Sequence, residues 1–187
     1  MRRIILGSLI GTVIFFGFQS VMWMGGFNKN ISLFTSSQDA IMKDLGKHNL
    51  PEGLYMMPYT DPGVKDFDKV HRQSMIDGIG KPWALVFYHP AMKAFQASTL
   101  LTGVLYTLIA CLIVSIILYN GRFSSFSSRF LIAMSFALFS LSIVVMSQMN
   151  WWSYPWSFVK AQVTDLTIGW GLCSAWLAFY VKNKAAV

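Results

Sequence analysis

The sequence predicts an all-α membrane protein: four transmembrane helices in a bundle, with a small mixed α/β extracytoplasmic cap between helices 1 and 2. Hydrophobic residues make up 55% of the 187 residues and charged residues only 12%, with a mean hydropathy of +0.50. Four apolar stretches are long enough to cross a hydrocarbon core of about 30 Å, and one long polar segment separates the first two. This composition excludes a disordered chain and argues against a water-soluble fold.

The predicted spans each need about 20 apolar residues, because unpaired backbone amides are costly in lipid. They cover residues 4–26, 95–119, 130–149 and 161–181. The chain thus divides into an N-terminal transmembrane anchor (1–26), the extracytoplasmic cap (27–94) and a three-helix transmembrane bundle (95–187). The anchor begins like a secretory signal, but no small-residue cleavage site follows it, so we expect it to stay attached.

Basic residues near the span ends predict the orientation, because Lys and Arg resist translocation. One side holds six basic residues and no acidic ones: Arg2, Arg3, Arg122, Arg129, Lys182 and Lys184. On the other side, the remaining basic residues are nearly balanced by the eight acidic ones. We therefore expect both termini in the cytoplasm. The net charge of +7 then reflects topology and contact with anionic lipid, and nucleic acid is not an expected partner.

The cap has mixed secondary-structure signals. Hydroxyl residues before Gln38 predict the start of a short helix, with Ile41 and Leu45 on its apolar face. Aromatic and branched residues at 53–59 and 83–88 predict two strands that can pair with each other. A weak surface helix is expected between them, at 65–76.

Histidine and cysteine residues give no metal-ligand motif. His48, His71 and His89 all fall in the cap, where they could bind a soft metal only if the fold brought them together. No pair has the spacing of a metal site, so we predict none. Cys111 and Cys173 fall inside spans and are expected to be small packing residues.

Asp165 is the one acidic residue inside a predicted span. A carboxylate in a membrane helix is costly and is a functional candidate by default. Its position about 5 Å inside the expected hydrocarbon boundary also allows a structural role, as an ion pair or helix cap. Expected partners are Lys160, Gln148, Asn150 and interfacial water.

An aromatic loop precedes the fourth span. The simpler interpretation is an aromatic belt at the headgroup layer, and the alternative is a docking surface for a subunit, a lipid tail or a quinone-like ring. Pro155 suits the first turn of the following helix. The candidate residues are Trp151, Trp152, Tyr154, Pro155 and Trp156.

Small residues recur at helical spacing in every span, which is typical of close helix packing in membranes. We expect spans two to four to pack through theirs on one another, whereas the Gly7 and Gly11 face could serve this bundle or another subunit. The main predicted packing residues are Gly7, Gly11, Gly103, Thr107 and Gly171.

Three stretches carry a resemblance: Asn150-Trp151-Trp152-x-x-Pro155, Asp165-x-x-Ile168-Gly169-Trp170 and Gly53-x-Tyr55-x-x-Pro58. With the N-terminal anchor, they resemble a group of small uncharacterised bacterial inner-membrane proteins. The resemblance implies a bacterial inner membrane and the four-helix layout, and it brings no activity or cofactor. It adds Gly169 to the positions of interest.

No phosphate-binding glycine loop, HExxH, GxSxG or CxxC motif occurs, so we expect no enzyme and no catalytic residues. The leading hypothesis is an accessory or scaffold subunit of a larger membrane complex, such as a respiratory or photosynthetic assembly, with the bilayer and other membrane subunits as partners. The alternative is a protein that binds or transports a small ligand (lipid, quinone, metal or ion), centred on Asp165 and the loop 151–156.

Overall fold

The computed structural model describes residues 1–182. Lys184, which enters the orientation argument, lies outside them. In chain order the elements are α1 (Arg2–Met24), α2 (Gln38–Lys47), β1 (Gly53–Met57), α3 (Phe67–Asp77), β2 (Ala84–Tyr88), α4 (Ala97–Asn120), α5 (Phe126–Ser140), a π-helical turn (Leu141–Val145), α6 (Met146–Trp152), α7 (Trp156–Thr164), a second π-helical turn (Asp165–Gly169) and α8 (Trp170–Tyr180).

The chain forms two compact units. The helical unit consists of Met1–Leu33 and the described part of Phe95–Val187, and the α/β unit consists of Phe34–Ala94.

Three helices of the helical unit are long and apolar enough to cross a membrane: Arg2–Met24, Ala97–Asn120 and Phe126–Trp152. The last joins α5 to α6 through the first π turn, and we call it the third long helix. A fourth long helix, residues 156–180, joins α7 to α8 through the second π turn. It is not among the three, since Lys160, Gln162 and Asp165 make it more polar. The structure confirms three membrane-length helices, and the fourth span stays a prediction.

The third and fourth long helices run antiparallel, side by side. Three hydrogen bonds join them from one end to the other: Gln162 to Gln148 (3.3 Å), Trp170 to the carbonyl of Ala133 (2.9 Å) and Arg129 to the carbonyl of Ala178 (2.7 Å). At 1.5 Å per residue, the stretch from 129 to 148 covers roughly 28 Å. The fourth long helix therefore accompanies the third over the thickness of a hydrocarbon core.

The third long helix begins earlier than predicted, at Phe126 instead of 130. Ser125 explains the earlier start, because its hydroxyl accepts a hydrogen bond from the Ser128 amide and caps the helix. Arg129, which the sequence placed in a connecting loop, consequently lies in the first turn and is buried. The next connection is also shorter than predicted, since only residues 153–155 separate the third and fourth long helices.

The α/β unit has the predicted elements. Strands β1 and β2 pair antiparallel, from Gly53 opposite Tyr88 to Met57 opposite Ala84. Two short helices, α2 and α3, complete the unit. All residues of this unit are described, and Tyr88 is the only buried one. The unit therefore has almost no core of its own.

The three histidines have separate environments. His71 stacks on Phe67 and lies 3.2 Å from the hydroxyl of Thr60. His89 Nδ1 lies 3.2 Å from Glu52 Oε1, and His48 Nε2 lies 3.9 Å from Asp44 Oδ2 on α2. Within residues 1–182, no group of three or more His, Cys, Asp or Glu side chains is arranged to hold a metal ion.

Candidate functional site

Asp165 opens the second π-helical turn and is buried, with 5% of its surface exposed. A π turn inserts an extra residue into an α-helix and is frequently found at functional sites. Here it changes the direction of the side chains that follow Asp165. The polar candidate of the fourth long helix thus lies at a local irregularity of that helix.

The hydrogen-bond partners of Asp165 come from α1. The indole Nε1 of Trp23 donates to Asp165 Oδ2 at 2.8 Å, and Gln19 Nε2 donates to the same oxygen at 3.4 Å. Gln19 and Trp23 are one helical turn apart, so both project from one face of α1. The predicted partners Lys160, Gln148 and Asn150 do not bind Asp165 in the described residues. That prediction was wrong because α1 packs against the π turn, whereas Gln148 instead pairs with Gln162.

The second side-chain oxygen of Asp165, Oδ1, differs from Oδ2 in its hydrogen bonding. Asp165 Oδ1 is buried, and no group of residues 1–182 donates a hydrogen bond to it. A buried carboxylate oxygen without a donor is unfavourable by a few kcal/mol, and such atoms are uncommon in folded proteins. The carboxylate is therefore half satisfied by the protein, and Oδ1 remains able to accept a hydrogen bond.

Gly169 allows α1 to approach this site. A Cβ atom at position 169 would lie 2.5 Å from Cδ1 of Phe18, a distance that side chains do not tolerate. Phe18 is one residue before Gln19, so the close approach occurs beside the donors of Asp165. Gly169, singled out through the resemblance, is explained by this contact.

Trp170 fixes the other side of the π turn. Its indole donates to the Ala133 carbonyl in α5, and its ring meets Phe15 of α1 edge to face, with centroids 5.4 Å apart. The π turn is thus held between two helices. Trp23 and Gln19 were not predicted as site residues, although Gln19 is a polar residue inside an apolar span, which could have indicated it.

An apolar cavity of about 280 Å³ lies next to Trp170 and Leu166. Residues of α1, α4, α5 and the fourth long helix line it, and its only hydroxyl side chain belongs to Ser140. Its other lining residues are Phe15, Ala110, Ile113, Val114, Phe136 and Ala137. Its lining is suited to an apolar chain or ring.

The aromatic loop does not join Asp165. Trp151, Trp152 and Trp156 are exposed, Trp151 by 78%. Tyr154 packs edge to face on Phe158, and Pro155 directly precedes α7. No hydrogen bond or ring contact of the described residues links this loop to Asp165. The two halves of the predicted ligand site are therefore separate features.

Four of the five predicted packing residues make close contacts inside the bundle. A Cβ on Gly7 would lie 2.6 Å from Val181, and one on Gly103 would lie 3.2 Å from Phe16. Gly11 faces α4 and α8, and Thr107 is buried with its hydroxyl bonded to the Gly103 carbonyl. Gly171 has only an ordinary contact, with Met134 at 3.9 Å. The Gly7 and Gly11 face is thus used within this bundle. The expectation for the second span was wrong at Gly103, which contacts α1 instead of the third or fourth long helix.

Comparison with known proteins adds no further assignment. No protein-family model, curated protein or solved structure matches the chain.

Proposed function

We propose that this chain is a non-enzymatic four-span membrane protein that serves as an accessory or scaffold subunit of a larger membrane complex. The proposal has three parts: the number of spans, the orientation, and the contact with a partner. Protease accessibility tests the number of spans and the orientation together, and photo-crosslinking tests the contact with a partner.

The fourth span is supported by the antiparallel contacts. The fourth long helix stays beside the third from Gln162 to Ala178, so it crosses the same thickness. Its buried carboxylate is compensated by Trp23 and Gln19, which lowers the penalty for placing Asp165 in a membrane. A carboxyl side chain that would make an isolated helix too costly to insert into a membrane is thus tolerated in this bundle.

The predicted orientation in the membrane is supported by the helix ends that lie close together. Gly7 of α1 contacts Tyr180 and Val181, and Arg129 binds the Ala178 carbonyl. The start of α1, the start of α5 and the end of α8 therefore share one end of the helical unit. This end holds the basic residues, which suggests the cytoplasmic face of a bacterial inner membrane. Protease treatment of sealed spheroplasts should then cleave the segment 27–94 and spare the C-terminus.

The observation that most supports the subunit role is an exposed apolar pair on the sheet of the α/β unit. Leu54 and Phe87 are direct cross-strand partners, and they are 48% and 62% exposed. Lipid covers exposed apolar residues of a span, whereas a unit outside the membrane exposes such residues to water. An exposed apolar pair on a two-stranded sheet with both edges unpaired fits a surface that another protein covers.

Site-specific photo-crosslinking in native membranes tests this role. A benzophenone amino acid at position 87 should give an adduct of higher mass that contains a second, different chain. The same amino acid at Asp68, an exposed polar position on α3, provides the matched control and should give no such adduct. Crosslinks from position 87 that reach only lipid, or only this same chain, would refute the subunit role.

A ligand-binding role is the second candidate, favoured by the unpaired Asp165 Oδ1. A hydroxyl or cationic group could donate to this oxygen, and the nearby apolar cavity could hold a chain or ring. Native mass spectrometry with a short-chain ubiquinol, whose hydroxyl groups can donate to Oδ1, is a suitable first probe. The ligand hypothesis predicts that Asp165→Asn abolishes the bound mass and leaves the crosslink from position 87 intact. Loss of the crosslink with quinol binding unchanged would assign Asp165 to assembly.

A further inference from the structure

Cys111 and Cys173 meet inside the helical unit. Their sulfur atoms are 3.6 Å apart, and neither side chain has any exposed surface. Cys111 belongs to α4 and Cys173 to α8, so the pair joins two helices that are distant in sequence. The sequence predicted only that each cysteine packs, and it gave no sign that the two would touch.

Gly11 of α1 covers the thiol pair. A Cβ at this position would lie 3.2 Å from the sulfur of Cys173 and 3.3 Å from that of Cys111. The Thr12 hydroxyl also interacts with Cys111. Three helices therefore converge on the two sulfurs, and a larger residue at position 11 would push against both.

The surroundings favour a disulfide over a metal site. A metal bound by two thiolates would bury charge, and charge is costly in a membrane interior. The Thr12 side chain that interacts with Cys111 is neutral. A thiol pair and a disulfide are both uncharged, so burial opposes neither state. Bond formation requires the sulfurs to approach from 3.6 Å to about 2.05 Å.

We propose that Cys111 and Cys173 are a reversible redox pair that forms a disulfide between α4 and α8. In the oxidation, both S–H bonds break and one S–S bond forms. The two electrons and two protons reduce a quinone to its hydroquinone. A quinone is the appropriate class of oxidant because the buried sulfurs are out of reach of water-soluble disulfides. The choice of a quinone as the oxidant rests on the proposed membrane placement. The distance between the two sulfur atoms does not depend on that placement.

Thiol counting on the full chain in lipid nanodiscs tests the proposal. The oxidant is tetramethyl-1,4-benzoquinone, whose fully substituted ring does not add thiols. After treatment the chain is denatured and labelled with a polyethylene glycol maleimide. Untreated chain should carry two labels and treated chain none, and dithiothreitol should restore both. Mass spectrometry of the digest should then show the peptides of Cys111 and Cys173 joined, with the loss of two hydrogen atoms.

The single variants C111S and C173S are the matched controls. Each should keep its one label after the same treatment, because the remaining thiol has no partner. Two labels on treated wild-type chain, or a disulfide that links two chains, would overturn the proposal. Loss of the label in both single variants would also overturn it, because the chemistry would then not need the pair. Oxidised glutathione, a charged disulfide that stays in water, should react far more slowly than the quinone. An equal rate would contradict the membrane placement and leave the redox pair standing.

Discussion

The helical unit and the α/β unit are stabilised by different kinds of contact. In the helical unit, the buried side chains of Arg129 and Trp170 and the partly buried Trp176 join helices by donating to backbone carbonyls. The α/β unit has one buried residue, Tyr88, and is held by a short sheet and local aromatic contacts. The helices of the helical unit are thus held together by contacts between distant parts of the chain, whereas the α/β unit leaves apolar side chains such as Leu54 and Phe87 exposed.

The largest expected effect is that of Arg129→Ala. The Arg129 guanidinium donates to the carbonyl of Ala178 near the end of α8 and to the carbonyls of Phe123 and Ser124 in the loop before α5. Its removal should lower the free energy of unfolding by about 3 kcal/mol, since hydrogen bonds from a charged donor are strong and the Ala178 carbonyl stays buried. Equilibrium unfolding in mixed detergent micelles measures this.

Arg122→Ala is the matched control for this prediction. Arg122 is exposed and makes no recorded hydrogen bond within residues 1–182. We expect a change within about 0.5 kcal/mol, as for other surface substitutions. Equal effects of the two variants would mean that Arg129 does not connect the helices.

The next largest effect should come from Gly7→Val. A Cβ at position 7 would lie 2.6 Å from Val181 and would also disturb the hydrogen bond that Trp176 donates to the Gly7 carbonyl. We expect a loss of about 2 kcal/mol from overpacking, read as a lower thermal midpoint in detergent. Gly17→Val in the same helix has open space around it and should leave the midpoint nearly unchanged.

Trp23→Phe should have a smaller effect. It keeps an aromatic ring and removes the indole donor at 2.8 Å from Asp165 Oδ2. Loss of one hydrogen bond should cost about 1 kcal/mol. In an Asp165→Asn background the same substitution should cost less, which a double-mutant cycle measures. Equal costs in both backgrounds would show that Trp23 acts through packing alone.

The smallest effect on stability is expected for Phe87→Ser in the α/β unit. Because Phe87 is largely exposed, its removal should change the free energy of unfolding by no more than about 0.5 kcal/mol. Its neighbour Tyr88 is buried, so Tyr88→Ala should clearly increase hydrogen exchange of the β1 and β2 amides. A large loss of stability in Phe87→Ser would mean that this side chain supports the unit itself.

The sequence by itself determined the membrane-length helices and the elements of the α/β unit, because these follow from apolar run length and from residue periodicity along the chain. It also identified Asp165, since one carboxylate in an apolar stretch is unusual. Only the tertiary structure decided which groups satisfy it. Trp23 is more than a hundred residues away in the chain and lies beside Asp165 because α1 packs on the π turn.

The same limit applies to Arg129 and to the two cysteines. Local pattern placed Arg129 in a loop, yet the Ser125 cap extends the helix and the end of α8 supplies its acceptors. The sequence predicts that Cys111 and Cys173 are separate packing residues. In the structure, α4 and α8 bring their sulfur atoms to 3.6 Å from each other. Burial and hydrogen bonding between distant residues depend on how helices pack, and no pattern within a single helix contains that information.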